Sequence, residues 1–180
     1  MIATLALAAC TSTPTPTATP QPTPQPTAQP TAAPPAFASV TVGGVGTIHR
    51  GGSSAATLSL SFNEASIASI GTGPGSFEVA LMDSAGSGRE VSFVGTPSTV
   101  KSPGSLGASA TASGNVLTVS IVDSDTHNIE PIIVSGLGIA ASSSAALGPI
   151  QGTMSAFTGS LAGGATSDVL VSFGTVVSNP

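Results

Sequence analysis

Large apolar side chains alternate, residue by residue, with small or polar ones along several short stretches of this chain. The alternating apolar residues are Leu58, Leu60 and Phe62, then Phe77, Val79 and Leu81, and then Leu117, Val119 and Ile121. A period of two places every second side chain on the same face of an extended strand. The pattern therefore predicts half-buried β-strands, and no amphipathic helix of useful length accompanies them.

Further stretches of the same kind follow, separated by glycine and proline clusters such as Gly95-Thr96-Pro97. These additional candidate strands are Ala38–Val42, Glu90–Val94, Ile132–Ser135, Leu137–Ala141, Ile150–Phe157 and Asp168–Val177. Many short strands with turn signals between them predict an all-β fold, an antiparallel β-sandwich of the immunoglobulin-like or cohesin-like jelly-roll kind. At Gly136 the alternation slips by one residue, which indicates either a β-bulge or a bend between sheets.

Residues 37–180 form the predicted sandwich domain, and they have the length of one ordinary domain. The chain has no Trp and no Tyr, and its 6 Phe residues fall mostly on apolar strand faces. We therefore expect the phenylalanines to fill the core. The C-terminal strand Asp168–Val177 is the candidate for edge pairing with a partner.

Residues 11–36 are rich in proline and threonine and carry no charge. Such a composition cannot bury a core, so we expect a disordered linker. Proline favours extended backbone, and the segment would reach roughly 80 Å if fully extended as a polyproline spacer. It would hold the sandwich away from whatever anchors its N-terminal end.

Residues 1–10 end in Leu7-Ala8-Ala9-Cys10, and Cys10 is the only cysteine of the chain. This run resembles the lipobox of bacterial lipoproteins, which implies cleavage before Cys10 and acylation of that residue. The preceding apolar stretch is far shorter than the ~20 residues that a membrane-spanning helix needs. It also lacks a basic start, so we expect the encoded signal to begin upstream of Met1. The resemblance implies an exported protein on the cell surface or outside the cell, bound to the membrane through a lipid on Cys10.

Three stretches of the predicted domain resemble the β-sandwich modules of bacterial envelope and extracellular proteins, some immunoglobulin-like and some cohesin-like. They are Leu117–Ile121, Asn128–Ile139 and Ala145–Ile150. The resemblance implies an extracellular module and transfers no binding residue.

Asp123, Asp125, Asn128 and Glu130 cluster directly after the strand that ends near Val122. Carboxylate and amide oxygens are the ligands that Ca²⁺ takes, although the spacing is not that of an EF-hand. Asp and Asn are also common turn formers, because they hydrogen-bond their own backbone. The sequence favours a plain turn and leaves a calcium site as the alternative; no other cofactor is expected.

The sequence carries no motif of an enzyme, and we expect none of its residues to be catalytic. The remaining enzymatic hypothesis is a hydrolase in which His127 pairs with a neighbouring carboxylate and a serine. With 3 basic residues against 8 acidic ones and a net charge of −5, the chain lacks the basic patch that nucleic-acid binding needs.

Together these features predict a non-enzymatic surface lipoprotein whose sandwich makes structural or adhesive contacts with a protein or glycan partner. The alternative is an extracellular module that binds a glycan or another small ligand. Because sugar platforms usually consist of Trp and Tyr, their absence weighs against that alternative.

Overall fold

The computed structural model describes residues 37–44, 46–54, 57–66, 70, 73–100, 107–123, 129, 131–161 and 171–180, with only the backbone given for Val100 and Asp123. These residues form ten β-strands. The strands are β1 (Phe37–Gly43), β2 (Thr47–His49), β3 (Leu58–Glu64), β4 (Gly75–Met82), β5 (Val91–Val100), β6 (Gly107–Ser113), β7 (Val116–Asp123), β8 (Pro131–Ala141), β9 (Gly148–Gly159) and β10 (Val171–Val177). Within the described ranges there is no helix that could span a membrane.

The strands form two sheets that pack face to face. The four-stranded sheet has the order β1-β3-β8-β5, and the six-stranded sheet has the order β2-β10-β9-β4-β7-β6. Neighbouring strands are antiparallel except for β2 and β10, which pair in parallel through Thr47, Ile48 and His49. The predicted all-β antiparallel sandwich is therefore confirmed, with one short parallel pair at an edge.

Phenylalanine rings join the two sheets across the core. Phe62 of β3 meets Phe77 of β4 edge-on at 4.9 Å between ring centroids, and Phe93 of β5 meets Phe173 of β10 at 6.0 Å. Phe37 also contacts Phe77, at 5.1 Å. Edge-to-face ring pairs add about 0.5–1.5 kcal/mol each beyond the burial of their apolar area. All six phenylalanines lie in the core or pack against it, as predicted.

Gly136 lies in a bulge within a single strand, so the predicted slip is confirmed as a bulge and not as a bend between sheets. In β8 the pairing with β3 jumps from Ser135 to Leu137, and Gly136 has a φ of +81°. Gly95 of β5 lies opposite with a φ of +93°, so both strands bulge at the same level. In β8 the extra residue returns the following apolar side chains Leu137 and Ile139 to the core face.

Two interpretations of the sequence change in the structure, and two strands were not predicted. Gly95-Thr96-Pro97 is not a turn between strands but the bulged middle of β5, where proline is tolerated because β5 is an edge strand. The short strand β2 and the alanine-rich strand β6 were not predicted. The strand β10 is not an edge strand, because β9 pairs with it on one side and β2 on the other.

The strand directions define the two ends of the sandwich. Phe37 at the start of β1 lies near the start of β4, which pairs with the end of β7, so Phe37 and the end of β7 lie at the same end of the sandwich. The contact between Phe37 and Phe77 brings both sheets together at this end. The connections after β4 and after β8 lie at the opposite end.

Candidate functional site

Asp83 follows β4 directly, at the end of the sandwich remote from Phe37, and it is 4 % exposed. One oxygen, Oδ1, accepts hydrogen bonds from the backbone N–H groups of Ala85 and Ser87, at 3.0 and 2.8 Å. The other, Oδ2, accepts the N–H of Ala146 at 2.9 Å. The two bonds to its own loop make a tight turn, and the third reaches the connection between β8 and β9.

Those three amides hold the Asp83 carboxylate in its ionised form. Burial raises the pKa of Asp83, but the N–H groups of Ala146, Ser87 and Ala85 lower it by more, and the result lies below the ordinary value. A carboxylate that accepts several backbone N–H bonds is stabilised as the anion because each donor dipole points at the charge. Asp83 is thus a poor base and a strong organiser of the two loops.

Glu90, at the end of the connection between β4 and β5, also bonds to the connection between β8 and β9. The hydroxyls of Ser142 and Ser144 both donate to its Oε2, the second at 2.5 Å. The backbone N–H of Ser142 donates to the Glu90 carbonyl at 2.8 Å. The hydrogen bonds from Ser142 and then Ser144 lower the pKa of Glu90, whereas partial burial and the charge of Asp83 oppose that shift.

Arg50 extends this arrangement to the segment after β2. Its side-chain Nε donates to the carbonyl of the buried residue Ala145 at 2.6 Å. Its backbone N–H donates to Val177 at the end of β10, at 3.1 Å. We call Asp83, Glu90, Ser142, Ser144 and Arg50 the carboxylate cluster; it fastens the loops at one end of the sandwich.

The carboxylate cluster does not fit nucleophilic catalysis. The two serine hydroxyls donate to Glu90, whose lowered pKa makes it a weak base for activating them. The nearest described histidine along the chain, His49, has its Nδ1 3.0 Å from the carbonyl oxygen of Ser178. Across the residues that the structure describes, His, Cys, Asp and Glu side chains nowhere come together in threes as a metal site requires.

A second buried carboxylate, Glu64, lies at the Phe37 end of the sandwich and is 4 % exposed. Its Oε1 accepts the backbone N–H of the buried residue Ile70 at 3.2 Å. Glu64 therefore positions the connection between β3 and β4. Neither buried carboxylate was singled out in the sequence, where Asp83 carries only the local signal of an Asp-Ser-Ala-Gly turn.

Most residues of the predicted calcium loop lie outside the described residues. Asp123 ends β7, its side chain is not described, and Asp125, Asn128 and Glu130 fall in the segment between β7 and β8 that the structure leaves out. His127 of the hydrolase hypothesis lies in the same segment, and Cys10 lies in the N-terminal part that is left out. The calcium site and the acylation of Cys10 remain predictions.

The outer face of the four-stranded sheet is lined mostly by small, uncharged polar residues. We call these residues the hydroxyl face: Ser39, Thr41, Ser59, Ser61, Asn63, Ser98 and Ser135. The half-buried Ile133, which pairs with Ser61, and the exposed Val94 are the larger apolar side chains on the same side of the sheet. The pairing register aligns Ser59 of β3 with Ser135 of β8, and Ser98 of β5 lies beside Ser135 on the next strand. The hydroxyls of Ser98 and Ser135 are 3.0 Å apart, and Asn63 donates to the Ser39 hydroxyl at 3.0 Å.

The outer face of the six-stranded sheet is similar but carries a carboxylate. Glu78 of β4 stands between Thr118 of β7 and Ser155 of β9 in the pairing register. Ser109 and Thr111 of β6 are exposed on the same sheet. The two faces thus differ in charge, because the hydroxyl face has no ionisable side chain.

The sequence matches no protein-family model and no curated protein at a significant level. Among solved structures, a similar one is the sixth cohesin from scaffoldin B of Acetivibrio cellulolyticus, in complex with a mutant Cel5 dockerin. The two share 17% sequence identity with a TM-score of 0.40, and the match covers 78% of this chain and 97% of that chain. A likeness this low assigns no function to this chain.

Proposed function

We propose that this chain is a non-enzymatic, lipid-anchored protein of the bacterial cell surface, whose sandwich makes structural or adhesive contacts with other proteins. The observation that carries the contact role is the hydroxyl face. Its polar residues are short hydroxyl and amide side chains, and no ionisable side chain of the described residues lies among them.

Such a face suits a broad and shallow contact for two physical reasons. Burying an unpaired charge costs several kcal/mol, and the hydroxyl face carries no charge that a partner would have to desolvate. Long side chains such as Lys or Glu also lose about 1.5–2 kcal/mol of rotamer entropy each when they are fixed, and the short side chains here lose less. Hydroxyls can both donate and accept, so they adapt to a polar partner surface.

The aromatic residues favour a protein partner over a glycan. All six phenylalanines pack in or against the core, and the sequence contains no other Phe, Trp or Tyr. The large apolar side chains exposed in the described part of the chain are the aliphatic residues Val94, Val122, Ile129 and Leu147. A flat aromatic platform, on which a sugar ring would stack, is therefore not formed by any Phe, Trp or Tyr of this chain.

The anchor is supported by the sequence around Cys10. The run Leu7-Ala8-Ala9-Cys10 stands directly before an uncharged, proline-rich segment, so a lipid on Cys10 would leave the sandwich free of the bilayer. Stable anchoring needs more than one acyl chain, since one chain gives only marginal binding. Acylation of both the Cys10 sulfur and its new amino group would meet that requirement.

Acylation can be tested by expressing the chain with a complete lipoprotein signal in a bacterial host fed an alkyne-tagged fatty acid. We expect the tag on the wild-type chain and on a Ser61→Ala control, and its loss from Cys10→Ala. Mass spectrometry of the N-terminal peptide should show that the mature chain begins at Cys10. An untagged wild-type chain, or a mature chain cut elsewhere, would refute the anchor.

The contact role is tested with host cells that display the anchored chain over two coats, one of envelope proteins and one of envelope polysaccharide. We expect retention on the protein coat, its loss after protease treatment of the coat, and its loss in Ser61→Arg on the hydroxyl face. The matched control is Ser120→Arg, a half-buried serine on the outer face of the other sheet. Retention on polysaccharide alone would support the glycan-binding alternative instead.

A further inference from the structure

The two sheets have four edge strands, and three of them are closed or short. The outer side of β5 is engaged by the facing sheet: the Phe93 N–H donates to the Gly114 carbonyl at 2.8 Å, and the Thr99 hydroxyl donates to the Ala108 carbonyl at 2.7 Å. Ala108 belongs to β6, so the second bond also occupies the outer edge of β6. The strand β5 carries Pro97 as well, and β2 is only 3 residues long. Natural sheets use such short strands, prolines and covered edges to prevent edge-to-edge pairing.

The fourth edge strand, β1, is neither short nor interrupted by proline, and in the described part of the chain it lies near β10 of the facing sheet without pairing with it. It is 7 residues long, contains neither proline nor a charged residue, and pairs on one side with β3. Among the described residues, no strand pairs with its other side. Its residues Ser39, Thr41 and Gly43 are exposed, while Val40 and Val42 pack against the core, so the strand is held flat against the sandwich.

We propose that the free edge of β1 pairs antiparallel with β1 of a second copy of this chain, joining the two four-stranded sheets into one continuous sheet. This pairing rests on the proposed function, because it names a second copy of the chain as the partner for the proposed surface contacts. Backbone donors and acceptors alternate along an antiparallel edge, so a two-fold axis makes the edge complementary to itself. Because β1 is uncharged, no like charges face each other across the paired strands.

Anchoring on a membrane would also bring further copies of this chain close to β1. Copies held on one surface by long tethers have a high effective concentration, which converts weak edge pairing into stable association. Antiparallel pairing places the two Phe37 residues, where the tethers attach, at opposite ends of the strand pair, roughly 20 Å apart for strands of this length. A tether of residues 11–36 is long enough to bridge that distance, so two copies anchored on one surface can pair.

The test uses the full chain with Cys10→Ser, so that acyl chains do not drive association. Its oligomeric state is measured by sedimentation at up to about 1 mM protein. One variant carries Ser39→Lys and Thr41→Lys, and a second carries Ser39→Glu and Thr41→Glu. Like charges facing each other across an antiparallel pair each cost about 0.2–1 kcal/mol, so two such pairs should weaken the dimer by about 2- to 30-fold. The matched control places lysines at Ser109 and Thr111, two exposed residues with the same spacing on β6.

We expect the Cys10→Ser chain and the β6 control to dimerise with the same dissociation constant, and each β1 variant measured alone to dimerise about 2- to 30-fold more weakly. A mixture of the lysine and glutamate variants should dimerise more tightly than either variant alone, because opposite charges then face each other, and circular dichroism should show that both remain folded. A chain that stays monomeric, a dimer that the β1 lysines do not weaken, or a mixture that fails to recover would overturn the proposal. A chain that dimerises through β1 but is not acylated refutes the anchor alone, whereas an acylated chain that stays monomeric refutes the edge pairing alone.

Discussion

Replacing Asp83 by asparagine measures how much one buried carboxylate contributes to holding the loops together. An amide has one accepting oxygen, so it cannot accept from the N–H of Ala146 on one side and from those of Ala85 and Ser87 on the other. At least one N–H then faces the amide NH₂ group and loses its partner. Hydrogen bonds to a charged group contribute about 1.5–3 kcal/mol, so Asp83→Asn should lower the free energy of unfolding by about that amount. For a domain of this size the melting temperature should fall by about 5–10 °C.

The same substitution should flatten the dependence of stability on pH. The pKa of Asp83 is lower in the folded protein than its ordinary value of 3.8. A lowered folded-state pKa gives stability that is complete above the unfolded-state pKa and is lost as the pH falls through the folded-state pKa. Between about pH 5 and pH 2 the wild-type chain should therefore lose stability more steeply than Asp83→Asn does.

Urea unfolding followed by circular dichroism, repeated at several pH values, measures both the free energy of unfolding and its dependence on pH. The matched control is Glu78→Gln, which also removes one negative charge but lies on an outer sheet face, where no hydrogen bond to a described residue is seen. We expect Glu78→Gln to change the free energy of unfolding by less than about 0.5 kcal/mol. Equal stability of Asp83→Asn and wild type at neutral pH, or parallel pH profiles for the two, would refute the role assigned to Asp83.

Four further predictions concern packing, backbone geometry, calcium and salt. A Cβ at Gly152 would overlap the ring of Phe173, so Gly152→Ala should cost about 1–3 kcal/mol in urea unfolding, whereas Gly73→Ala, with nothing within 4 Å, should cost far less. Gly136→Ala should cost about 1–3 kcal/mol by the same measurement, because its φ is +81° and its Cβ would meet a backbone oxygen at 2.6 Å. If Asp123–Glu130 is a plain turn, the melting temperature should be the same with about 1 mM calcium and with chelator, and a rise with calcium would instead support the calcium site. The dissociation constant of the β1-paired dimer should change less than about twofold between low and physiological salt, because β1 carries no charge.

Much of the fold could be predicted because the inward side chains of most strands are large and apolar. Leu58, Leu60 and Phe62 of β3 are all buried at 1 % exposure or less, and the alternation that reveals them is local in sequence. The strand β6 was missed because its inward residues are alanines, which give almost no contrast with the serines and threonines between them. The strand β2 was missed because Ile48 is its only buried residue.

The carboxylate cluster could not be predicted, because its bonds join loops that are remote in sequence. Asp83 and Ala146 are 63 residues apart, and Ser144 and Glu90 are 54 apart. A turn motif at Asp83 predicts the two local bonds and is silent about the third. Edge status has the same origin: the C-terminal position of Asp168–Val177 suggested an edge strand, but whether a strand lies at an edge depends on which strands pair beside it.

The acidic side chains lie mostly at the ends of the sandwich, so the outer sheet faces and the ends can interact with partners in different ways. Among the described side chains, the acidic groups Asp83, Glu90 and Glu64 lie at the two ends of the sandwich, and Glu78 is the one that lies on an outer sheet face. Attraction between charges acts over about 8–10 Å at physiological salt, so the ends can sense a charged partner before contact. The hydroxyl face and the β1 edge have only hydrogen bonds and van der Waals contact to offer, and both require a partner of matching shape at close range. We therefore expect the proposed contacts of the hydroxyl face and of the β1 edge to depend little on ionic strength.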